Sequence, residues 1–531
     1  MNKRRRISDD DVPKTYEEAV TGPEANEWKQ AIAEEMTSHK SNNTFSVVKL
    51  EEHMNIVTTR WVFTKKKDEH GNVVRYKARL VARGYTQEYG VDYQETFAPV
   101  LKAKSLRLIT ALAATDEDEL EQIDFKTAYL NARLKEKIYI TTPQTMKLKS
   151  DQVLQLNKAL YGLKQSGREW NDEVSEYIKQ MGFKQCMKDT CIYVYITKTN
   201  NRIIIGLFVD DMTIVYKKKD KKEWEEQKKR LKSKYKLTDI GKMRQIVGCR
   251  VTRDDETGVT YIDQQVNVEQ QIKDAQLSDC KHTTTPGDNN IQLEQGNERV
   301  DGYTYRSMVG ALIYTSTWTR PDITHAVNMC SRYMTAPTTQ HQQAATKILR
   351  YLHGTSDMGI KYDNNNNKNK VMITGYCDAD WAGDKKDRKS TTGYCVYVNN
   401  NLIAWNTHKQ ATVALSTAEA ELMAITELTK EIMWLKQMVS EMGFDEVLPA
   451  VEHSDNQAAV NITNNDVDHN RTKHIEIRHM YVRSEIKTGK IKIQWVRTEQ
   501  QTADIFTKAL QGPIFTTHRD NLVKRLPAQQ Y

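Results

Sequence analysis

No two cysteines in this chain stand in CxxC spacing. The seven present, Cys186, Cys191, Cys249, Cys280, Cys330, Cys377 and Cys395, are scattered, which argues against zinc ribbons and against a secreted disulfide framework. A reduced, intracellular setting is expected. No stretch reaches the roughly 18 consecutive apolar residues of a membrane span, and MNKRRRISDDD lacks the apolar segment of a signal peptide. The expectation is a protein neither inserted in a membrane nor exported. Extreme charge is missing as well. Lys and Arg number 78 against 70 Asp and Glu, a formal net charge of +8, which leans toward a polyanionic partner without identifying one. The basic residues 3–6 read as a solvated terminus more readily than as a nucleic-acid patch.

What is there is length and pattern. At 531 residues the chain is several times one domain of roughly 100 to 200, so more than one core is expected. Residues 15–50 read as a helix and a lead-in, and 56–82 as a hairpin around a polar HGN turn, strongly basic on one face. From 107 to 240 short apolar strands alternate with helical stretches, an α/β or α+β pattern. The charged segment 217–236 places Trp224, Leu231 and Tyr235 on one helical face. Polar stretches at 281–300 and 363–370 are candidate linkers. Helical spacing fills 303–353. After 370, VMITGYCDAD, STTGYCVYVNN and NLIAWNT read as successive strands. A helix over 417–440 then carries Leu422, Ile425, Leu428, Ile432, Leu435 and Val439 in one stripe.

IIIGLFVDDMTIVY at 203–216 interrupts two apolar runs with adjacent acids, which are costly in a buried hairpin unless cations compensate them. A simple turn would favour Asp-Gly or Asn-Gly, whereas Met212 follows here. Asp124 in EQIDFKTAYLNA ends an apolar strand. By itself it reads as a helix cap; beside Asp210 it completes a set of carboxylates from separate segments, as two ions about 3.5 to 4 Å apart require.

IDFKTAYLNA, LNKALYGLKQSGREW at 156–170, LFVDDM and LTDIGKMRQIVGCRV at 237–251 occur in an order that resembles the copia-type long-terminal-repeat retrotransposon polyprotein family. WVFTKKKDEHGNVVRYKARLVARGYTQEYGVDYQETFAPV at 61–100 resembles the family's fingers, and YRSMVGALIYTSTWTRPDITHAV at 305–327 its connecting segment. The resemblance implies an α+β, α/β multidomain fold: a right-hand polymerase of fingers, palm and thumb, a connection, and a ribonuclease H-like α/β domain. The implied division is a tail at 1–14, fingers and palm at 15–236, a thumb-like region at 237–300, connection at 301–370, ribonuclease H at 371–512 and a tail at 513–531. Asp124, Asp210 and Asp211 become catalytic carboxylates and metal ligands, Asp211 the least committed of the three. Lys77 or Arg79, with backbone groups beside Asp124 at Phe125, would hold the incoming triphosphate. Gln165 and Gly167 would lie under template and nucleotide, Gln165 toward the nucleotide. Phe208 stands where many reverse transcriptases have Tyr, beside the nucleic acid.

In the last third, Asp378 follows VMITGYC, Glu421 lies in STAEAELMAI, Asp455 in VEHSDNQAAV and Asp504 in QTADIFTKAL. Singly each is a cap or surface charge. In this order and wording they resemble the ribonuclease H carboxylate cluster. Asp380 and Glu419 rival Asp378 and Glu421; Asp378 is preferred as ending the strand and Glu421 as heading the helix. His474, Glu476 and His479 do not match a zinc motif. Arg471, Lys473 and His474 are candidate contacts to a hybrid backbone. The implied cofactor is Mg2+, two ions at each centre, with Mn2+ as substitute. Implied partners are an RNA template, a DNA primer, an RNA–DNA hybrid, deoxynucleoside triphosphates, and the integrase and capsid proteins of the same element. The implied location is cytoplasmic virus-like particles or the nucleus. The rival reading is a catalytically inactive, co-opted nucleic-acid-binding remnant.

Overall fold

The computed structural model describes residues 12–67, 72–115, 118–288, 293, 298–364, 370–464 and 476–527. The basic residues 3–6, most of the HGN turn, and Arg471, Lys473 and His474 lie outside the described residues.

The expected hairpin is a two-stranded ribbon, Thr59–Lys67 against Val73–Ala82. Its side chains alternate. Trp61, Phe63, Ala78 and Leu80 are buried against Trp28, Ala31 and Ile32 of the helix Ala25–Ser41, which leaves Thr64, Lys66, Arg75, Lys77 and Arg79 on the opposite face.

A six-stranded antiparallel sheet carries the acidic hairpin. Its order is Leu237–Lys242, Glu119–Phe125, Asp211–Tyr216, Arg202–Phe208, Ile192–Ile196 and Lys184–Gln185. The isoleucines of the run 203–205 are buried because the sheet is covered on both faces, by helix Ala103–Thr115 on one side and by helices Ser166–Gln180 and Lys221–Lys234 on the other. Trp224, Leu231 and Tyr235 all enter the core, as their spacing required. Residues 237–242, expected to open a thumb-like region, instead form this sheet's edge strand.

A further sheet joins Gln245–Ile246, Cys249–Arg253, Thr260–Asp263, Met358–Tyr362 and Lys524–Arg525. It draws strands from the stretches expected as thumb, connection and C-terminal tail. Helices Gly302–Trp318, Thr324–Ser331 and Thr339–His353 fill the connecting segment.

The C-terminal sheet runs Asn401–Lys409, Thr391–Val398, Lys370–Asp380, Asp445–Ser454, Ile491–Trp495; the first three strands are antiparallel and the last two join in parallel. Helix Thr417–Glu441 packs across it. The Ser416 hydroxyl accepts from the Glu419 N–H, and the Glu419 carboxylate accepts from the Leu415 N–H, which together start the helix. Gly443, at φ 77°, follows its end. The six stripe residues are all at most 1% exposed, each contributing roughly 2 kcal/mol of apolar burial.

The two halves share one hydrophobic core, running from Leu101 and Leu108 through Ile403 to Leu428 and Ile432. Arg107 is buried at the join. It donates to the carbonyls of Ile403 and Thr317, both at 2.7 Å, and its guanidinium lies 3.9 Å from the Trp405 ring centroid.

Candidate active sites

The FVDD segment forms a hairpin closed by the pair Phe208 and Asp211, with Val209 and Asp210 at the tip. Val209 has φ 57°, a conformation that a β-branched residue adopts only under constraint. Two hydrogen bonds supply it. Trp170 Nε1 donates to the Val209 carbonyl at 2.7 Å, and the Phe125 N–H donates to the Asp210 carbonyl at 2.8 Å. Asp211 and Asp124 are direct cross-strand partners, so both side chains leave the same face of the sheet.

The three acids crowd. Burial, then the charge of Asp210, pushes Asp211 up to about 6. The same two causes raise Asp124, against Lys77 and Lys66. Gln122 Nε2 donates to Asp211 Oδ1 at 3.1 Å and draws it aside. Their oxygens do not close to within 4.8 Å of one another as a trio.

The ribbon's basic face acts on these acids, since the charges of Lys77 and Lys66 favour the ionised form of Asp124. Burial first, then Arg79, lowers Lys77. Arg79 lies over the Tyr161 ring at 5.3 Å, and Tyr161 packs on Tyr129 at 5.1 Å. Lys66 and Tyr129 were not singled out in the sequence. Strand alternation places Lys66 on the face of Lys77, and Tyr129 lies within the quoted IDFKTAYLNA.

Two expected nucleotide contacts are corrected. The Phe125 ring is buried against Trp170 and Tyr235, and its N–H is taken by Asp210, so it supports the site from the core. Gln165 is 1% exposed; its amide donates to Asp92 and Glu136 and accepts from Gln87. It braces the loop beneath the site. A Cβ on Gly167 would meet Ala98 at 3.4 Å, an ordinary contact. Phe208 is half-buried, edge-on to Trp318 at 6.4 Å.

In the C-terminal half, Asp378, Glu421 and Asp455 bring ligand oxygens mutually within 4.8 Å, the group of this kind among the described residues. The strand runs on past Asp378 to Asp380, so Asp378 does not end it; it pairs with Gly393. Asp380 turns back on Gly383, where its Oδ2 lies 1.7 Å from the position of an added Cβ. Glu421 does not head the helix either. Thr417 does, and Glu419 is used in starting it, while Glu421 accepts from the Ala379 N–H at 3.2 Å. Burial, then Asp378 and Asp455, holds Glu421 well above the usual carboxylate range. Asp455 accepts from Thr498 at 2.8 Å.

Asp504 lies outside the trio. Burial and Asp378 push it up to about 7, and Lys508 Nζ stands 3.1 Å from it. Thr507 donates a short hydrogen bond to Asp378. Lys508 and Thr507 were overlooked, although ADIFTKAL spaces Lys508 one helical turn after Asp504. Of the zinc alternative, His479 Nε2 is 2.9 Å from the Ile462 carbonyl.

Both donor sets consist of carboxylate oxygens, which suit hard cations such as Mg2+. The C-terminal trio fits a cation on a further ground: Glu421 is 5% exposed and its Oε2 has no hydrogen-bond partner, a vacancy that is expensive unless a cation fills it. The chain thus carries two separate acidic clusters, carboxylates on neighbouring strands in one half and the closed trio Asp378, Glu421 and Asp455 in the other.

Comparison with known proteins gives likenesses over most of the chain. Residues 42–289 match the family described as Reverse transcriptase (RNA-dependent DNA polymerase). The chain is 36% identical over 516 residues to the retrovirus-related Pol polyprotein from transposon TNT 1-94 of Nicotiana tabacum, covering 95% of this chain and 38% of that protein. It is 34% identical over 506 residues to the corresponding polyprotein from transposon RE1 of Arabidopsis thaliana, covering 94% and 34%. The chain thus spans little more than a third of the length of these relatives. A solved foamy viral protease-reverse transcriptase in complex with double-stranded DNA aligns over 88% of this chain and 70% of that chain, with a TM-score of 0.48 and 12% identity.

Proposed function

We propose that this chain copies RNA into DNA and degrades the RNA strand of the resulting hybrid, as a reverse transcriptase with ribonuclease H activity. The observation that carries the first part is the facing pair Asp124 and Asp211, with Asp210 at the strained tip beside them and Lys66 and Lys77 opposite. Asp124, Asp210 and Asp211 would hold Mg2+, which when bound lowers the barrier to attack by a primer 3′-hydroxyl and steadies the leaving pyrophosphate. Lys66, Lys77 and Arg79 neutralise the triphosphate and orient it. In the C-terminal centre Asp378, Glu421 and Asp455 would hold the cation that directs water at an RNA phosphodiester. Glu421 Oε2, buried without a hydrogen-bond partner, supports this reading.

The proposed setting is intracellular, in virus-like particles with the integrase and capsid of the same element. All seven cysteines are unpaired, which a reducing compartment favours. Among the described residues no helix is long and apolar enough to cross a membrane.

The test is primer extension by the purified chain from oligo(dT) on poly(rA), with hybrid cleavage measured in parallel. Asp210→Asn should abolish extension and spare cleavage, and Asp378→Asn should do the reverse. Unchanged extension by Asp210→Asn would overturn the first assignment. Absence of both activities from the unsubstituted, folded chain would favour the remnant.

A further inference from the structure

A cleft opens where the helices of the connecting segment meet the C-terminal half. It is lined by the apolar Met329, Ala344 and Ile348 of helices Thr324–Ser331 and Thr339–His353, and by Lys347, Lys385 and Gly383. Its space is about 180 Å³. A water needs roughly 10 to 15 Å³ of such space, so a ring system of about ten heavy atoms fits. His325 reaches both this cleft and a smaller cavity beside it, whose wall includes Lys508. The imidazole is partly buried and has no hydrogen-bond partner among the described residues. Burial, then Arg332, lowers its pKa to about 4, so at neutral pH one ring nitrogen donates and the other accepts. Lys347 is paired with Asp288 at 2.7 Å. Lys385 is exposed and forms no ion pair among the described residues. Gly383 lies against Asp380, two residues after Asp378, so one end of the cleft adjoins the acidic trio.

We propose that this cleft binds a nucleoside monophosphate, with the base among Met329, Ala344 and Ile348, one base edge on His325 and the phosphate at Lys385. The choice of ligand class rests on the nuclease reading above. Apolar walls favour a flat ring or an alkyl chain, and the imidazole separates the two. A base offers both donors and acceptors along its edge, whereas an alkyl chain would cover the ring nitrogens and leave them unpaired at a cost. The ammonium of Lys385 asks for an anionic tail, because Lys347 already has its carboxylate and a phosphate forms strong charge-assisted hydrogen bonds. Gly383 at one end and Lys508 in the adjoining cavity join the cleft to the acids. The same chemistry is found in a free nucleotide and in the terminal nucleotide of a strand cut at those acids.

The test is equilibrium dialysis of labelled AMP against the full chain in EDTA, where no cation-dependent step runs. AMP is expected to bind at this cleft. Lys385→Ala should weaken binding about tenfold and His325→Phe about fivefold, the scale of a lost charged and a lost neutral hydrogen bond. Ala344→Phe, which fills the cleft, should abolish it. Ribose 5-phosphate, which lacks the base, should bind at least about tenfold more weakly, since it buries no ring. An oligoadenylate with a 5′-phosphate separates the two sources: displacement of AMP identifies a strand end, and failure to displace it a free nucleotide. No bound AMP, unchanged affinity in Lys385→Ala, or equal affinity for ribose 5-phosphate would overturn the proposal. Should His325→Phe or Ala344→Phe fail to fold, Lys385→Ala still decides, because it changes an exposed side chain. Hybrid cleavage that survives Asp378→Asn would overturn the nuclease reading alone, since the dialysis requires neither a cation nor cleavage.

Discussion

The indole N–H of Trp170 holds the carbonyl of Val209 at 2.7 Å, and Val209 carries φ 57° at the tip of the acidic hairpin. A β-branched residue left to itself abandons that conformation, at a gain of roughly 1 to 3 kcal/mol. The bond therefore sets where Asp210 points. Trp170→Phe keeps an aromatic ring toward Phe125 and Tyr235, removes the donor and leaves a small cavity in place of the rest of the indole. The expected result is destabilisation of about 2 to 3 kcal/mol and a fall in extension kcat of about tenfold, with hybrid cleavage unchanged. Steady-state extension and cleavage on one preparation check this; equal loss in both would mean that Trp170 supports folding alone.

A second prediction concerns pH. Burial and Asp210 push Asp211 up to about 6, from 3.8 for the free side chain. The folded chain thus holds this proton more tightly than the unfolded chain. The stability it contributes is full below about pH 4 and is lost as pH rises through about 6. At pH 7.5 the ionised Asp211 is a liability in metal-free buffer. Asp211→Asn should then raise stability by about 1 kcal/mol, after discounting for screening at a half-exposed position. The gain should vanish at pH 4. Thermal melts at both pH values decide, and equal shifts at the two would refute the assignment.

Much of this was legible in the sequence where a residue's neighbours along the chain determine its surroundings. The alternation of the ribbon, the stripe from Leu422 to Val439 and the acids beside VMITGYC all follow from strand or helix periodicity. What was hidden depends on partners distant in sequence. Residues 237–242 join the sheet of Glu119–Phe125, and residues 524–525 pair with 358–359; strands this short carry little period of their own. Gln165 looked available because Asp92 and Gln87 are not visible as its partners until the loop folds. Lys508 was in plain view four residues after Asp504, but only the folded turn shows that it points at both acids.

The join between the halves yields a third prediction. Arg107 is 5% exposed, and its pKa is lowered to about 10 by burial, so it stays charged at neutral pH. Arg107→Met keeps the packing of the stem on the shared core and strands the carbonyls of Ile403 and Thr317. A cost of roughly 3 kcal/mol is expected, and extension and cleavage should fall together, because the residue touches both halves. Urea unfolding with Trp405→Leu in a double-mutant cycle should give a coupling of about 1 kcal/mol, the scale of a desolvated cation over an aromatic ring. Additivity of the two substitutions would show that the stacked pair is not a joint.

Gly393 offers the sharpest separation of the two activities. It pairs with Asp378 across the sheet, and a Cβ added there would lie 2.5 Å from Phe506 Cβ and 2.8 Å from Thr507 Cγ2. Neither neighbour can yield alone. Phe506 is fully buried in the core, and Thr507 is fastened to Asp378. The turn Thr502–Phe506 must therefore back away, carrying Asp504, Thr507 and Lys508 off the acids. Overpacking of this kind costs about 1 to 3 kcal/mol, while a displacement of about 1 Å at a catalytic centre can cost on the order of a hundredfold in rate. Gly393→Ala should accordingly lose hybrid cleavage by about that factor and keep primer extension within about twofold. Parallel assays of a folded Gly393→Ala chain check it; intact cleavage would mean that the turn relaxes without moving Lys508 and Thr507.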